Sequence, residues 1–415
     1  MSVTPTMPTS SKKVELLAPA GNFEKLEIAV HFGADAVYLG DKSFSLRSFA
    51  DNFSVAEIKK AVTYARHHQV RVYVACNIFS RTVEADALAE YLRALGDIGP
   101  EAVIVADPGI FYMARTIIPH IPLHLSTQAN TTSLQAVRFW EKMGIARINI
   151  ARELSLAEIE AITRQSNVDI EAFVHGAMCM AYSGRCLLSA YLSGRDSNRG
   201  MCSHPCRWRY HVVEEQRPGQ YLPVAGDDRG TYLFSSKDLC MVEHLDKMIN
   251  AGIKSLKIEG RMKSIHYLAA TVKVYREAID TCYASPADYK ARQSWREELA
   301  AINNRGFCTG FYFGNPDDGA INDNGSRTVN DRVFVAKVME KTEDGVVGVQ
   351  VRNKLFRGDS VEILTSTGPV KTDVVQTIID ETGQHVDFAQ PNSLVRLGLS
   401  SAYQPNDLIR KITDE

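Results

Sequence analysis

Five of the chain's eight cysteines fall in one stretch, Cys179-x6-Cys186-x15-Cys202-x3-Cys206-x33-Cys240. Thiols this dense point to zinc or iron–sulfur chemistry before disulfides. Zinc ribbons carry tight C-x2-C knuckles, and this chain has none. Wider, irregular spacing on loops suits a [4Fe–4S] cluster, which takes four thiolates from any direction. Five thiols compete for four places, and a set of unrelated buried cysteines is the plain alternative. Cys76, Cys282 and Cys308 stand alone and read as core residues.

Charge concentrates in the same stretch. Between residues 179 and 211, Arg185, Arg195, Arg199, Arg207 and Arg209 face only Asp196, a balance of +4 in a chain whose total is −2. Near-neutral overall charge excludes nucleic-acid binding by bulk basicity, so any such binding needs a local patch. Tyr182, Tyr191, Trp208 and Tyr210 are interleaved with the arginines. Arginines contact phosphates and aromatic faces stack unpaired bases, which makes Arg195, Arg199, Arg207, Trp208 and Arg209 candidate RNA-binding residues. The other reading is a solvated loop whose arginines balance thiolates.

Chemistry needs a scaffold to converge on. Eight short apolar runs read as buried parallel strands: Val14–Leu17, Ala36–Leu39, Val70–Ala75, Ala102–Ala106, Leu123–Ser126, Arg147–Ile150, Val168–Val174 and Ser255–Ile258. Helical patterns alternate with them, the first opened by the N-cap Asn22 and stopped by Gly33. Eight such units predict an α/β (β/α)8 TIM-like barrel over residues 13–325. About 80 residues separate strands seven and eight, roughly twice what a βα unit needs. This long cysteine-rich insertion (179–250) follows a strand, and loops after strands build the active face of a barrel.

Polar residues at strand ends are the other candidates. Gln128, Arg152, His175 and Glu259 are candidate catalytic groups, with Asn77, Asn130 and Glu153 beside them. Arg261 and Lys263 follow the eighth strand, where barrels often bind anions. A salt bridge to Glu259 is the competing role.

Past residue 326 the texture changes to strand-like runs broken by Gly, Asp and Asn turns. They predict a small C-terminal all-β domain, a barrel or sandwich over 328–415. Residues 1–12 are rich in Ser, Thr and Pro and read as a disordered tail without a secretory signal core. No apolar run approaches a membrane span, so a cytoplasmic protein with no membrane partner is expected.

The segment from Glu171 through His175, Cys179 and Cys186 to Ser189 resembles the signature of the U32 family of collagenase-like peptidases. So do Leu17-Ala-Pro-Ala-Gly21, Gly33-Ala-Asp-Ala-Val-Tyr38, Ser236-Lys-Asp-Leu239 and Ser255-Leu-Lys-Ile-Glu-Gly-Arg-Met-Lys263. Within that family the chain is most similar to the transfer-RNA hydroxylation members. The resemblance implies a [4Fe–4S] cluster and oxygen-independent hydroxylation of the wobble uridine to 5-hydroxyuridine, with prephenate as hydroxyl donor or co-substrate. It implies Cys179, Cys186 and Cys202 as ligands. Cys206 is the favoured fourth and Cys240 the alternative. Arg47 becomes a further candidate for gripping a dicarboxylate. Hydroxylation of 23S ribosomal RNA and peptidase activity are the other activities the resemblance allows. The chain lacks the His-Glu-x-x-His and Gly-x-Ser-x-Gly motifs of common hydrolases.

Overall fold

The computed structural model describes residues 13–46, 51–179, 181–182, 184–208, 226–227, 230–231, 236–314, 332–340 and 345–412. The expected tail, Arg47, Arg209 and the Arg207 side chain lie outside the described residues.

Eight parallel strands form the barrel: β1 (Glu15–Pro19), β2 (Ala36–Gly40), β3 (Arg71–Cys76), β4 (Ala102–Val105), β5 (Leu123–Leu125), β6 (Arg147–Asn149), β7 (Asp169–Ala177) and β8 (Ser255–Ile258). Neighbours pair in chain order, and β8 pairs with both β7 and β1, which closes the ring. Each matches an expected run to within a few residues. The reason is physical: strands covered on both faces are mostly apolar, and the polar residues they do carry must be paired inside.

Side-chain caps start the intervening helices. Asn22 accepts from the Lys25 N–H at 2.9 Å, and Ser54–Glu57 and Ser155–Glu158 form capping boxes. Outward strand residues join the helices in one large core. The barrel interior holds a separate apolar cluster of Leu17, Ala36, Tyr38, Tyr73, Ala102 and Ile104.

Beside that cluster lies a buried ionic network. Glu15 meets Arg71 and Arg147, each at 2.5 Å, and accepts from Tyr73 Oη at 2.7 Å and Ser255 Oγ at 2.8 Å. Glu171 meets Lys257 at 2.8 Å and Arg147 at 3.6 Å. Burial pushes the Glu15 carboxyl up, but Arg147 and Arg71 outweigh it and hold the group below its ordinary range.

The long connection contains an unexpected element. Strand Asp238–Cys240 runs antiparallel to the end of β7, with Cys240 opposite His175, and pairs in parallel with Phe307–Cys308.

The C-terminal region is an antiparallel seven-stranded sheet in the order Lys371–Val374, Ser360–Leu364, Leu408–Ile412, Arg332–Val338, Val346–Val351, Leu394–Gly398, Thr377–Ile379. The run Val370–Ile379 reads as one strand in sequence but divides into two that pair at opposite ends of the sheet. Leu408–Ile412 carries Arg410, which is 1% exposed. Arg410 grips Glu298 of the barrel region at 2.5 and 2.7 Å and Glu362 at 2.9 Å.

Candidate active site

Two adjoining cavities open at the C-terminal ends of the strands. The first, the barrel mouth, is lined by Asn77, Thr127, Gln128, Asn149, Arg152, Lys257, Glu259 and Arg261 among others. The second, of about 440 Å³, is lined by Cys179, Cys186, Cys202 and Cys206. Gln128, Cys179 and Glu259 line both, so the two share a wall.

The cysteine loop is fastened by its own polar groups. Ser197 Oγ and Asn198 Nδ2 donate to the Cys186 carbonyl at 2.7 and 3.1 Å. Ser203 N–H donates to Ser189 Oγ at 3.0 Å, and the His204 N–H donates to Cys202 Sγ at 3.4 Å. Gly184, at φ +76°, lets the loop press on strand five's end: a Cβ there would stand 2.5 Å from the Gln128 carbonyl oxygen.

Among the described residues, no three His, Cys, Asp or Glu side chains converge on a single metal-ion position. Cys179, Cys186, Cys202 and Cys206 do border one cavity, and they are the residues that would hold a thiolate-bound group there, one thiolate to each iron of a four-iron cluster. Cys240 faces elsewhere. Its Sγ lies 3.8 Å from Tyr275 Oη and it lines a third cavity with Cys308. Burial pushes its thiol up to about 11.

The other candidate residues separate. Gln128, Arg152, Glu259 and Arg261 converge on the mouth, and Lys263 lines the cysteine cavity. His175 joins neither. It is 1% exposed and packs against the rings of Tyr267, Tyr275 and Phe307. Burial lowers its pKa to about 3. Arg199 is engaged within the protein by Glu84 and the Phe79 carbonyl, which removes it from the candidate RNA surface. Trp208 is 42% and Tyr191 88% exposed. Arg195 is partly buried.

A model of "Peptidase family U32" matches residues 21–322, and one of the "Peptidase family U32 C-terminal domain" matches residues 330–410. The chain belongs to peptidase family U32. A relative named tRNA hydroxylation protein P1, from Bacillus subtilis, is 42% identical over 97% of this chain and 95% of its own length. The Escherichia coli tRNA hydroxylation protein P is 37% identical over 86% of this chain and 87% of its own. A Porphyromonas gingivalis relative named Collagenase is 30% identical over 95% of this chain and 96% of its own.

This U32 chain also places residues at its mouth that sequence reasoning passed over. Lys257, Asn149 and Thr127 line the cavity and are 4%, 2% and 7% exposed. A lysine between Leu256 and Ile258 in the eighth strand was the available signal.

Proposed function

We propose that this chain carries out, or is a component of, transfer-RNA hydroxylation, converting the wobble uridine to 5-hydroxyuridine without molecular oxygen. The names of its relatives support the reaction class. The observation that carries the reading is the wall of Gln128, Cys179 and Glu259 common to the thiol-lined cavity and the polar mouth. On this reading a cofactor bound by the thiols would sit directly beside a small molecule bound in the mouth.

Cys179, Cys186, Cys202 and Cys206 would hold the [4Fe–4S] cluster. With four thiolates, such a cluster supplies electron transfer or a rigid anchor. The mouth would take prephenate, its carboxylates attracted by Arg261 and the neighbouring cations. Two glycines make room for Arg261. A Cβ on Gly21 would stand 2.2 Å from the Arg261 carbonyl oxygen, and one on Gly40 would stand 2.2 Å from its Nη1. Tyr267 Oη donates to the Glu259 carbonyl at 3.0 Å and fixes the backbone that presents Glu259 to both cavities. Exposed Tyr191 and Trp208, with Arg195, offer stacking faces and charge to the RNA.

No helix among the described residues is long and apolar enough to cross a membrane. A cytoplasmic location follows from the proposed transfer-RNA substrate.

Purification without oxygen should give a brown protein with iron and sulfide in cluster stoichiometry. Transfer RNA from a strain lacking the chain should lose 5-hydroxyuridine derivatives. A colourless protein with stoichiometric zinc overturns the cluster, and unchanged nucleosides overturn the substrate.

A further inference from the structure

Below the mouth, Arg71, Arg147 and Lys257 are matched by Glu15, Glu171 and Asp169, with Arg71 and Asp169 at the water-exposed edge of the network. Lys257 reaches the mouth from this network, with Nζ 4.5 Å from the Tyr38 ring centroid.

Arg152 adds a further cation. Its guanidinium lies 3.8 Å from the Phe173 ring centroid, and Nη1 donates to the Ala177 carbonyl at 3.0 Å. None of its ion pairs involves a carboxylate within 4.0 Å among the described residues, and its Nε is buried without a partner. A buried guanidinium N–H without an acceptor is strongly unfavourable, so this wall is complementary to an anion.

Thr127, Gln128 and Asn149 make different demands. Thr127 Oγ1, Gln128 Oε1 and Asn149 Oδ1 are all buried without a hydrogen-bond partner. Each of these residues lines the mouth. An amide oxygen only accepts, so it needs a donor. If either amide were turned over, its N–H would need an acceptor in the same place. A hydroxyl group satisfies both cases, because like the water it would displace it donates and accepts.

We infer that the mouth binds a small carboxylate that also bears a hydroxyl group: Arg152 grips the carboxylate above Lys257, and Asn149, with Thr127 and Gln128, reads the hydroxyl. This rests on the mouth being the co-substrate site and names the residues that select the co-substrate. Neither Lys257, Asn149 nor Thr127 was among the sequence candidates.

The test is calorimetric titration of the full chain, purified without oxygen. The probes are prephenate and the pair malate and succinate, which differ by one hydroxyl. Arg152→Gln should weaken prephenate binding about ten- to a hundredfold, the range for losing charged hydrogen bonds. Arg152→Lys, which keeps the charge and loses the fork, should fall between. Asn149→Ala should abolish a preference for malate over succinate. Thermal melts identify any variant that has lost its fold, and the wild-type comparison of malate with succinate needs no variant. Equal binding of malate and succinate by the wild type overturns the hydroxyl-reading wall. Prephenate binding that is unmoved in a folded Arg152→Gln protein overturns the inference and leaves prephenate standing as co-substrate. Arg152-dependent malate binding with no uptake of prephenate supports the pocket and overturns the choice of prephenate.

Discussion

The Arg199 guanidinium forks onto the Glu84 carboxylate, at 2.5 Å and 3.2 Å, and also donates to the Phe79 carbonyl at 2.8 Å. This bidentate pair ties the cysteine loop to the segment after β3, and both partners are largely shielded from water. A fork of this geometry fixes orientation as well as supplying energy.

Glu84→Gln should therefore loosen the loop without unfolding the barrel. About 1–2 kcal/mol of local stability should be lost, the scale of a charged hydrogen bond only partly exposed. Limited proteolysis of the metal-free chain should cut several times faster within residues 179–208. Unchanged cleavage there would mean that the fork does not hold the loop.

His175 and His266 should make the fold acid-sensitive. Burial lowers each from an ordinary value of 6.5 to about 3, and Arg410 and Arg332 add to the effect at His266. Both are neutral in the folded chain near pH 5 but protonated in the unfolded one. Their stabilising contribution is full above pH 6.5 and is lost as pH falls from 6.5 towards 3. The slope is up to about 1.4 kcal/mol per pH unit for each. Denaturant titrations between pH 7 and 5 should show it, and His266→Asn should flatten the curve. A variant curve parallel to the wild type contradicts this reading.

Gly21→Ala tests how Arg261 is placed. The added Cβ meets the Arg261 backbone carbonyl at 2.2 Å, which rotation of a side chain cannot relieve. Equilibrium denaturation should show a loss of about 1–3 kcal/mol, the usual range for overpacking. Full stability with an intact mouth would mean that the β8 loop yields freely.

Much of this was legible in the sequence. The barrel strands were, because burial on both faces keeps them mostly apolar and β-branched despite the paired charges they carry. Ser255–Ile258 was read to the residue. The cysteine cluster was legible too, as a density of thiols on one insertion. Orientation was not. Cys240 has the same chemistry as Cys206, and only its pairing opposite His175 turns it towards Tyr275. His175 follows Phe173 at the spacing of an inward-facing strand residue, yet the register of β7 against β8 shifts between Lys257 and Ile258. That irregularity accompanies its burial among aromatic rings rather than at the mouth. Arg199 looked like a phosphate ligand because its partner Glu84 lies 115 residues away.

The chain with four cysteines around the Cys179 cavity is proposed to act in transfer-RNA hydroxylation. The most direct test is the nucleoside profile of transfer RNA from a strain lacking the chain. The strain is grown without oxygen, so that no oxygen-dependent route supplies the hydroxyl group, and is complemented with wild type, Cys206→Ser or Cys240→Ser. Wild type and Cys240→Ser should restore 5-hydroxyuridine derivatives, and Cys206→Ser should not. Full restoration by Cys206→Ser, or no loss in the deletion strain, would contradict the account.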